Sequence, residues 1–202
     1  MQYQYTIHQQ EKAYRGFFKF DRYSVSFDKF SGGQIEQVMR ECGKKGDIVA
    51  VLPYDPVRDE VLLVEQFRIG MVVRNQHPWT QEIVAGFMDV AGEDAPTTAK
   101  RELFEETGCH AKALHALLSY YPSPGGSASQ VHIFVAEVDA SEAAQHTGLE
   151  EEGEDICVHR VPLADIRQKI AEGGITNAVD NATAIIAVQE FLRADWPAKL
   201  GI

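Results

Sequence analysis

The chain has 202 residues, 45% of them hydrophobic, with a formal net charge of −11. That is enough apolar material for a core, and it argues against global disorder. So negative a surface repels nucleic-acid backbones and anionic membranes, which disfavours a polyanion binder; a small anionic substrate stays open if a metal and a few arginines neutralise it locally. The three cysteines, Cys42, Cys109 and Cys157, are odd in number and far apart, which predicts reduced thiols in a cytoplasmic protein rather than a disulfide framework or a zinc pattern. Met1-Gln2-Tyr3-Gln4-Tyr5 lacks the basic and apolar regions of a signal peptide. No apolar run approaches the roughly 18 residues of a membrane span.

Residues 3–42 read as strands: Tyr23, Val25 and Phe27 alternate with polar residues, Ser31-Gly32-Gly33 marks a turn, and Gln34–Glu41 resumes the pattern. So few strands need another surface to bury a face, so this meander is expected to dock on the main domain or on a partner subunit. Gly43-Lys44-Lys45-Gly46 reads as a linker, giving an N-terminal strand domain over 1–45 and a main domain over 46–202. Ile48–Leu52 is a buried strand, Asp55–Asp59 a turn and Val61–Arg68 a further strand. Glu82–Gly86 predicts a short strand, with Trp79 just before it read as core. Pro96 in the first turn and Asp94 near the N-cap open a helix that ends at Gly108. Leu114–Tyr121 and Val131–Val138 are strands, Ala140–Asp155 an acidic loop and Ile156–Val161 a strand. Helices follow over Leu163–Glu172, stopped by Gly173-Gly174, and over Asn181–Leu192. The class is α+β: a mixed sheet with helices on its faces, in an α/β/α sandwich, plus the small N-terminal antiparallel domain.

The chemistry concentrates in Arg101-Glu102-Leu103-Phe104-Glu105-Glu106-Thr107-Gly108. Glu102, Glu105 and Glu106 stand at i, i+3 and i+4, so they share one helix face and repel one another. A solvated acidic face is one explanation. A hard divalent cation among the carboxylates, working beside a substrate phosphate, is the other. The seven histidines are scattered without zinc-ligand spacing.

Gly86 to Cys109 resembles the Nudix box, a glycine, five residues, Glu, seven residues, then Arg-Glu-apolar-x-Glu-Glu-x-Gly-apolar. Glu93, Arg101, Glu102, Leu103, Glu105, Glu106, Gly108 and Cys109 match, whereas six residues separate Gly86 from Glu93. The resemblance implies hydrolysis of a nucleoside diphosphate linked to another moiety, with Mg²⁺ or Mn²⁺. It implies that Glu102 and Glu106 are catalytic metal ligands, with Glu105 a further ligand or acting through water, and with the Ala85 carbonyl completing the shell. Arg101 would pair with Glu93 and orient it.

Pro124 lies fifteen residues beyond Cys109, in Ser123-Pro124-Gly125-Gly126-Ser127. A proline there resembles the mark of the ADP-ribose pyrophosphatase subfamily, as do Tyr14–Phe18, Asp55–Val61, Glu65–Arg68 and Glu151–Ile156. The resemblance implies a homodimer exchanging its N-terminal strands, a nucleotide-sugar substrate, and cleavage of ADP-ribose to AMP and ribose 5-phosphate. Phe17 would stack on adenine or pack as core. Arg68 would hold a phosphate or form a structural salt bridge. Arg40 is a phosphate or ribose candidate, and Gly125-Gly126 admit close backbone approach. Ser129 stands where relatives carry a substrate-contacting glutamate. The general base falls on the acidic loop at Glu152, with Glu151 and Glu154 as rivals. Hydrolysis of another sugar nucleotide such as GDP-mannose, or of a dinucleotide, is the alternative within the class. A non-catalytic ADP-ribose sensor lies outside it.

Overall fold

The computed structural model describes residues 3–171 and 181–200. They fall into two compact units, Met1–Asp47 with Tyr120–Val131, and Ile48–Ser119 with His132–Ile202.

In the first unit β1 (Tyr5–Arg15), β2 (Lys19–Asp28) and β3 (Gln34–Gly43) form an antiparallel sheet in that order. The central strand buries Asp21, which holds Arg15, Gln10 and Lys44, so one carboxylate ties the first hairpin to the start of the next segment. Gly43, expected in a linker, instead ends β3. Its N–H donates to the Gly126 carbonyl at 2.9 Å and its carbonyl accepts from Ala128 at 3.0 Å. The backbone is paired on both sides, which is why the strand runs to its last residue. Along β1 every residue is exposed, Tyr5, Ile7 and Tyr14 among them.

The second unit runs β4 (Ile48–Asp55), β5 (Glu60–Phe67), α1 (Ile69–Val73), β6 (Trp79–Glu82), β7 (Val84–Phe87), α2 (Ala95–Thr107), β8 (Ala113–Tyr120), β9 (Val131–Glu137), β10 (His146–Thr147), β11 (Ile156–Pro162), α3 (Leu163–Ala171), α4 (Ala182–Arg193) and α5 (Trp196–Lys199). The sheet order is β10-β11-β5-β4-β9-β8, with β6 beside β5 and β7 beside β4. Alternation along the strands splits the core. Val49, Val51, Leu62, Val64, Ile156 and Val158 pack with Ala99 and Leu103 of α2. Tyr54, on the opposite face of β4, meets Phe191 of α4 with ring centroids 5.0 Å apart. Helices therefore cover both faces of a mixed sheet, the α+β layering expected from the sequence.

Helix α2 forms where the sequence signals place it. The Asp94 carboxylate accepts from Thr97 N at 2.9 Å, and a proline occupies the first turn. Ala99 and Leu103 stand four apart on the buried face. The helix ends at Gly108, whose φ of 76° is left-handed and whose N–H donates to the Phe104 carbonyl at 2.8 Å.

Three expectations for the second unit need correcting. The single strand at Glu82–Gly86 is two strands, because the chain changes partner at Ile83: Glu82 faces Val64 of β5, and Ala85 faces Ala50 of β4. The loop at 140–155 contains 3₁₀ turns at Ala140–Glu142 and Glu150–Glu152, and β10 pairs there with β11. The short helices α1 and α5 carry too few residues for a periodic signal. Trp79 is not core: it is 50% exposed and meets Phe67 edge to face. The expected stop of α3 at Glu172 and Gly173-Gly174 lies outside the described residues.

Leu103 is fully buried between α2 and the sheet. Leu103→Ala is expected to lower unfolding free energy by about 2–5 kcal/mol in urea melts, with the slope against urea unchanged.

Candidate active site

The acidic face of α2 lies against β7. Glu106 is 2% exposed, and its Oε2 accepts from the Ala85 N–H at 3.2 Å. Glu102 lies one turn earlier, against Gly86. A Cβ at Gly86 would overlap the Glu102 carboxyl carbon and both oxygens, so only glycine lets strand and carboxylate approach this closely.

Arg101 gathers the remaining acids. Its Nε donates to Glu93 at 3.2 Å, and its Nη1 meets Glu102 at 2.9 Å and Glu105 at 2.8 Å. Thr98 Oγ1 also donates to Glu93, at 3.1 Å. The pairing of Arg101 with Glu93 read from the sequence is present, and the arginine grips two cluster glutamates besides. Burial works against its charge, but the Glu102, Glu93 and Glu105 carboxylates outweigh that and raise its pKa.

The carboxylates are under strain from burial. Burial pushes Glu102 up to about 7, with Arg101 pulling down and the charges of Glu105 and Glu154 pushing up. Glu106 is raised well above the carboxylate range, first by burial and then by Glu102, against the Ala85 N–H. Among the described residues no three acids converge as a ready-made metal cage, since Arg101 draws Glu102 and Glu105 to itself; the oxygen donors that α2 and β7 offer a hard divalent cation are Glu102, Glu105, Glu106 and the Ala85 carbonyl.

The acidic loop is tied to the helix end. Ala144 N donates to the Thr107 carbonyl at 3.0 Å, and Thr147 Oγ1 donates to the Glu106 carbonyl at 2.6 Å. Glu150–Glu152 then makes a 3₁₀ turn. Glu151 and Glu152 are exposed, whereas Glu154 is half-buried and its charge acts on Glu102 and Glu106. Of the three rivals, Glu154 is the least exposed one, and its charge acts on the cluster.

Arg68 forms a forked ion pair with Glu82, Nε to Oε1 and Nη2 to Oε2, both at 3.0 Å. Glu106 and Glu154 also act on its charge. Glu82 carried no role in the sequence reading. Its signal is an acid that alternation sends to a buried position at a strand end, where only a basic partner makes burial tolerable.

The other candidates belong to the first unit. Phe17 is 69% exposed, which removes the core reading; its edge meets Phe18, and Lys45 Nζ lies 2.9 Å from its ring centre. Arg40 is exposed, with Nη1 on the Met39 carbonyl at 3.0 Å. Pro124, Gly125 and Gly126 form an exposed turn closed by Gly126 N and Ser127 N on the Ser123 carbonyl. Ser129 is buried, on the wall of a cavity of about 230 Å³ shared with Lys44, Gly46, Asp47 and Ala128.

A mixed sheet clasped by helices, with an arginine-held carboxylate cluster at the edge of one of them, is the layout of a hydrolase that works through divalent metal. The NUDIX domain family model matches residues 44–178, and the chain belongs to that family, whose members in general use divalent metals. It is 42% identical over 192 residues to the ADP-ribose pyrophosphatase of Escherichia coli K12, covering 92% of this chain and 90% of that protein. It is 40% identical over 183 residues to the ADP-ribose pyrophosphatase of Haemophilus influenzae, covering 89% and 82%. Against the GDP-mannose pyrophosphatase of Cronobacter sakazakii identity is 34% over 149 residues, covering 72% and 75%. A solved structure described as an ADP compounds hydrolase superposes with TM-score 0.69 over 95% of both chains, at 24% identity, which speaks for the fold. Among the described residues no helix is long and apolar enough to cross a membrane.

Because burial pushes Glu102 up to about 7, a divalent cation held there would compete with a proton for the carboxylate. Added divalent cation is expected to release protons at pH 7, and affinity is expected to fall as pH drops below 7. Calorimetry in two buffers of different ionisation enthalpy measures the release; identical heats in both would contradict it.

Proposed function

We propose that the chain hydrolyses the diphosphate bond of ADP-ribose with Mg²⁺, giving AMP and ribose 5-phosphate. The observation that carries this is the identity of 40–42% to two ADP-ribose pyrophosphatases over about nine tenths of the chain, against 34% over a shorter span for a GDP-mannose pyrophosphatase. The intact carboxylate cluster supports catalysis over mere binding.

Glu102 and Glu106 would hold Mg²⁺, with Glu105 and the Ala85 carbonyl assisting; Mn²⁺ suits the same oxygen donors. When bound, the cation supplies charge neutralisation at the diphosphate and acidifies water. The chain's own groups do the rest. Arg101, anchored by Glu93, keeps Glu102 and Glu105 in place. Gly86 leaves room for the Glu102 carboxylate. Arg68 takes a phosphate oxygen, Arg40 a phosphate or the ribose, and Phe17 stacks on adenine. Pro124 shapes the turn at which Gly125 and Gly126 bring backbone to the ligand. Glu152 accepts the proton of the attacking water; a P–O bond forms, and the bridging P–O bond breaks with its electrons going to the leaving phosphate. The protein works in the cytoplasm as a homodimer that exchanges residues 1–45, a reading supported by the exposed apolar residues along β1.

A panel of ADP-ribose, GDP-mannose and dinucleotides scored by kcat/KM tests the substrate. ADP-ribose is expected to lead. A lead for GDP-mannose would overturn the specificity and leave the reaction class standing, and binding without AMP release would indicate a sensor. Glu152→Gln at saturating Mg²⁺ is expected to lower kcat about 100-fold or more, the usual worth of a positioned base. A loss of a few-fold there, with the larger loss in Glu154→Gln, would move the role to Glu154.

A further inference from the structure

We propose that Thr80 and Glu82 form a clamp that holds Arg68 off the metal-binding carboxylates and presents it to substrate phosphate. The inference rests on the roles given above to Glu106 and Arg68, and it adds two positioning residues that touch neither metal nor substrate.

The clamp is built from buried groups. Thr80 is 3% exposed and Glu82 is 6% exposed. Thr80 Oγ1 donates to Glu82 Oε1 at 2.6 Å, and the same carboxylate takes Arg68 Nε and Nη2, each at 3.0 Å. Two parallel bonds fix the plane of a guanidinium as well as its position. The backbone at Arg68 is held too, its N–H donating to the Pro78 carbonyl at 2.7 Å and its carbonyl accepting from Met71 at 3.1 Å. The acid comes from the end of β6, opposite Val64, and the arginine is the residue that follows β5. Nη1 has no hydrogen bond among the described residues, and it is the donor left over for a ligand.

The clamp matters because of what surrounds it. The carboxylates of Glu106 and Glu154 act on the Arg68 charge. A long, flexible cation beside such acids pairs with them unless something holds it. An arginine folded onto Glu106 would occupy oxygens the cation needs. Glu82 offers Arg68 a competing partner through two parallel bonds, and the Thr80 hydroxyl fixes that partner in turn. The site thus carries a cation for the substrate without surrendering a ligand to it.

The test is Mn²⁺ binding, read from the free-ion electron paramagnetic resonance signal, with KM for ADP-ribose measured alongside. Glu82→Gln is expected to weaken Mn²⁺ binding and raise KM, each by about 10-fold, the scale of a charge-assisted bond. Combining it with Arg68→Met is expected to restore Mn²⁺ affinity while KM stays high, since the competitor and the phosphate contact go together. Thr80→Val is expected to move both readings the same way by a smaller factor, and it serves if Glu82→Gln does not fold. Wild-type Mn²⁺ affinity and KM in folded Glu82→Gln or, failing that, in Thr80→Val would overturn the clamp. So would a double variant that binds Mn²⁺ as weakly as Glu82→Gln, because a structural pair would lower stability without being rescued. If wild type binds no Mn²⁺, or Glu106→Gln binds it equally well, the metal assignment falls first and the clamp falls with it.

Discussion

Three glutamates share one face of α2, and the fold keeps them there against their own repulsion. Without that enforced crowding there is no site. The helix can carry it because both ends are capped and its opposite side is sunk in the sheet through Ala99 and Leu103. Arg101 then spreads one charge over Glu93, Glu102 and Glu105. Glu106, too deep for that arginine, takes a backbone N–H from Ala85 instead. The packing of α2 supplies the free energy, and the electrostatics spend part of it on a cluster that water would otherwise disperse.

The helix half of the site was legible in the sequence for the same reason that it is stable. Capping, period and terminal glycine are local signals, and each agreed with the others. The partner switch at Ile83 was not legible, since it depends on which strand lies beside which. Nor was β10, two residues whose pairing is decided by β11. Glu82 was overlooked because a lone acid in a strand declares nothing until its arginine is in view. The acidic loop divided in the same way: its composition showed in the sequence, while the closeness of Glu154 to the cluster came from the turn that folds it back.

Catalytic and recognition candidates occupy different units. The second holds the carboxylates with Arg101 and Arg68; the first holds Phe17, Arg40 and the turn at Pro124. The motif thus lies wholly in the second unit, and the recognition residues proposed in the first lie outside it. Within the first unit Lys45 lies over the Phe17 ring. The electron-rich face of the ring is what draws the ammonium.

Thr147 gives the acidic loop a point of suspension. Its hydroxyl hangs the segment from the last turn of α2, on the carbonyl of Glu106 itself. The loop carboxylates are therefore on a short leash whose anchor is a member of the cluster they approach. A group tethered this way meets its target at an effective concentration set by the length of the leash, with no diffusional search. Loop and helix end share that bond, so at this point neither is displaced without the other.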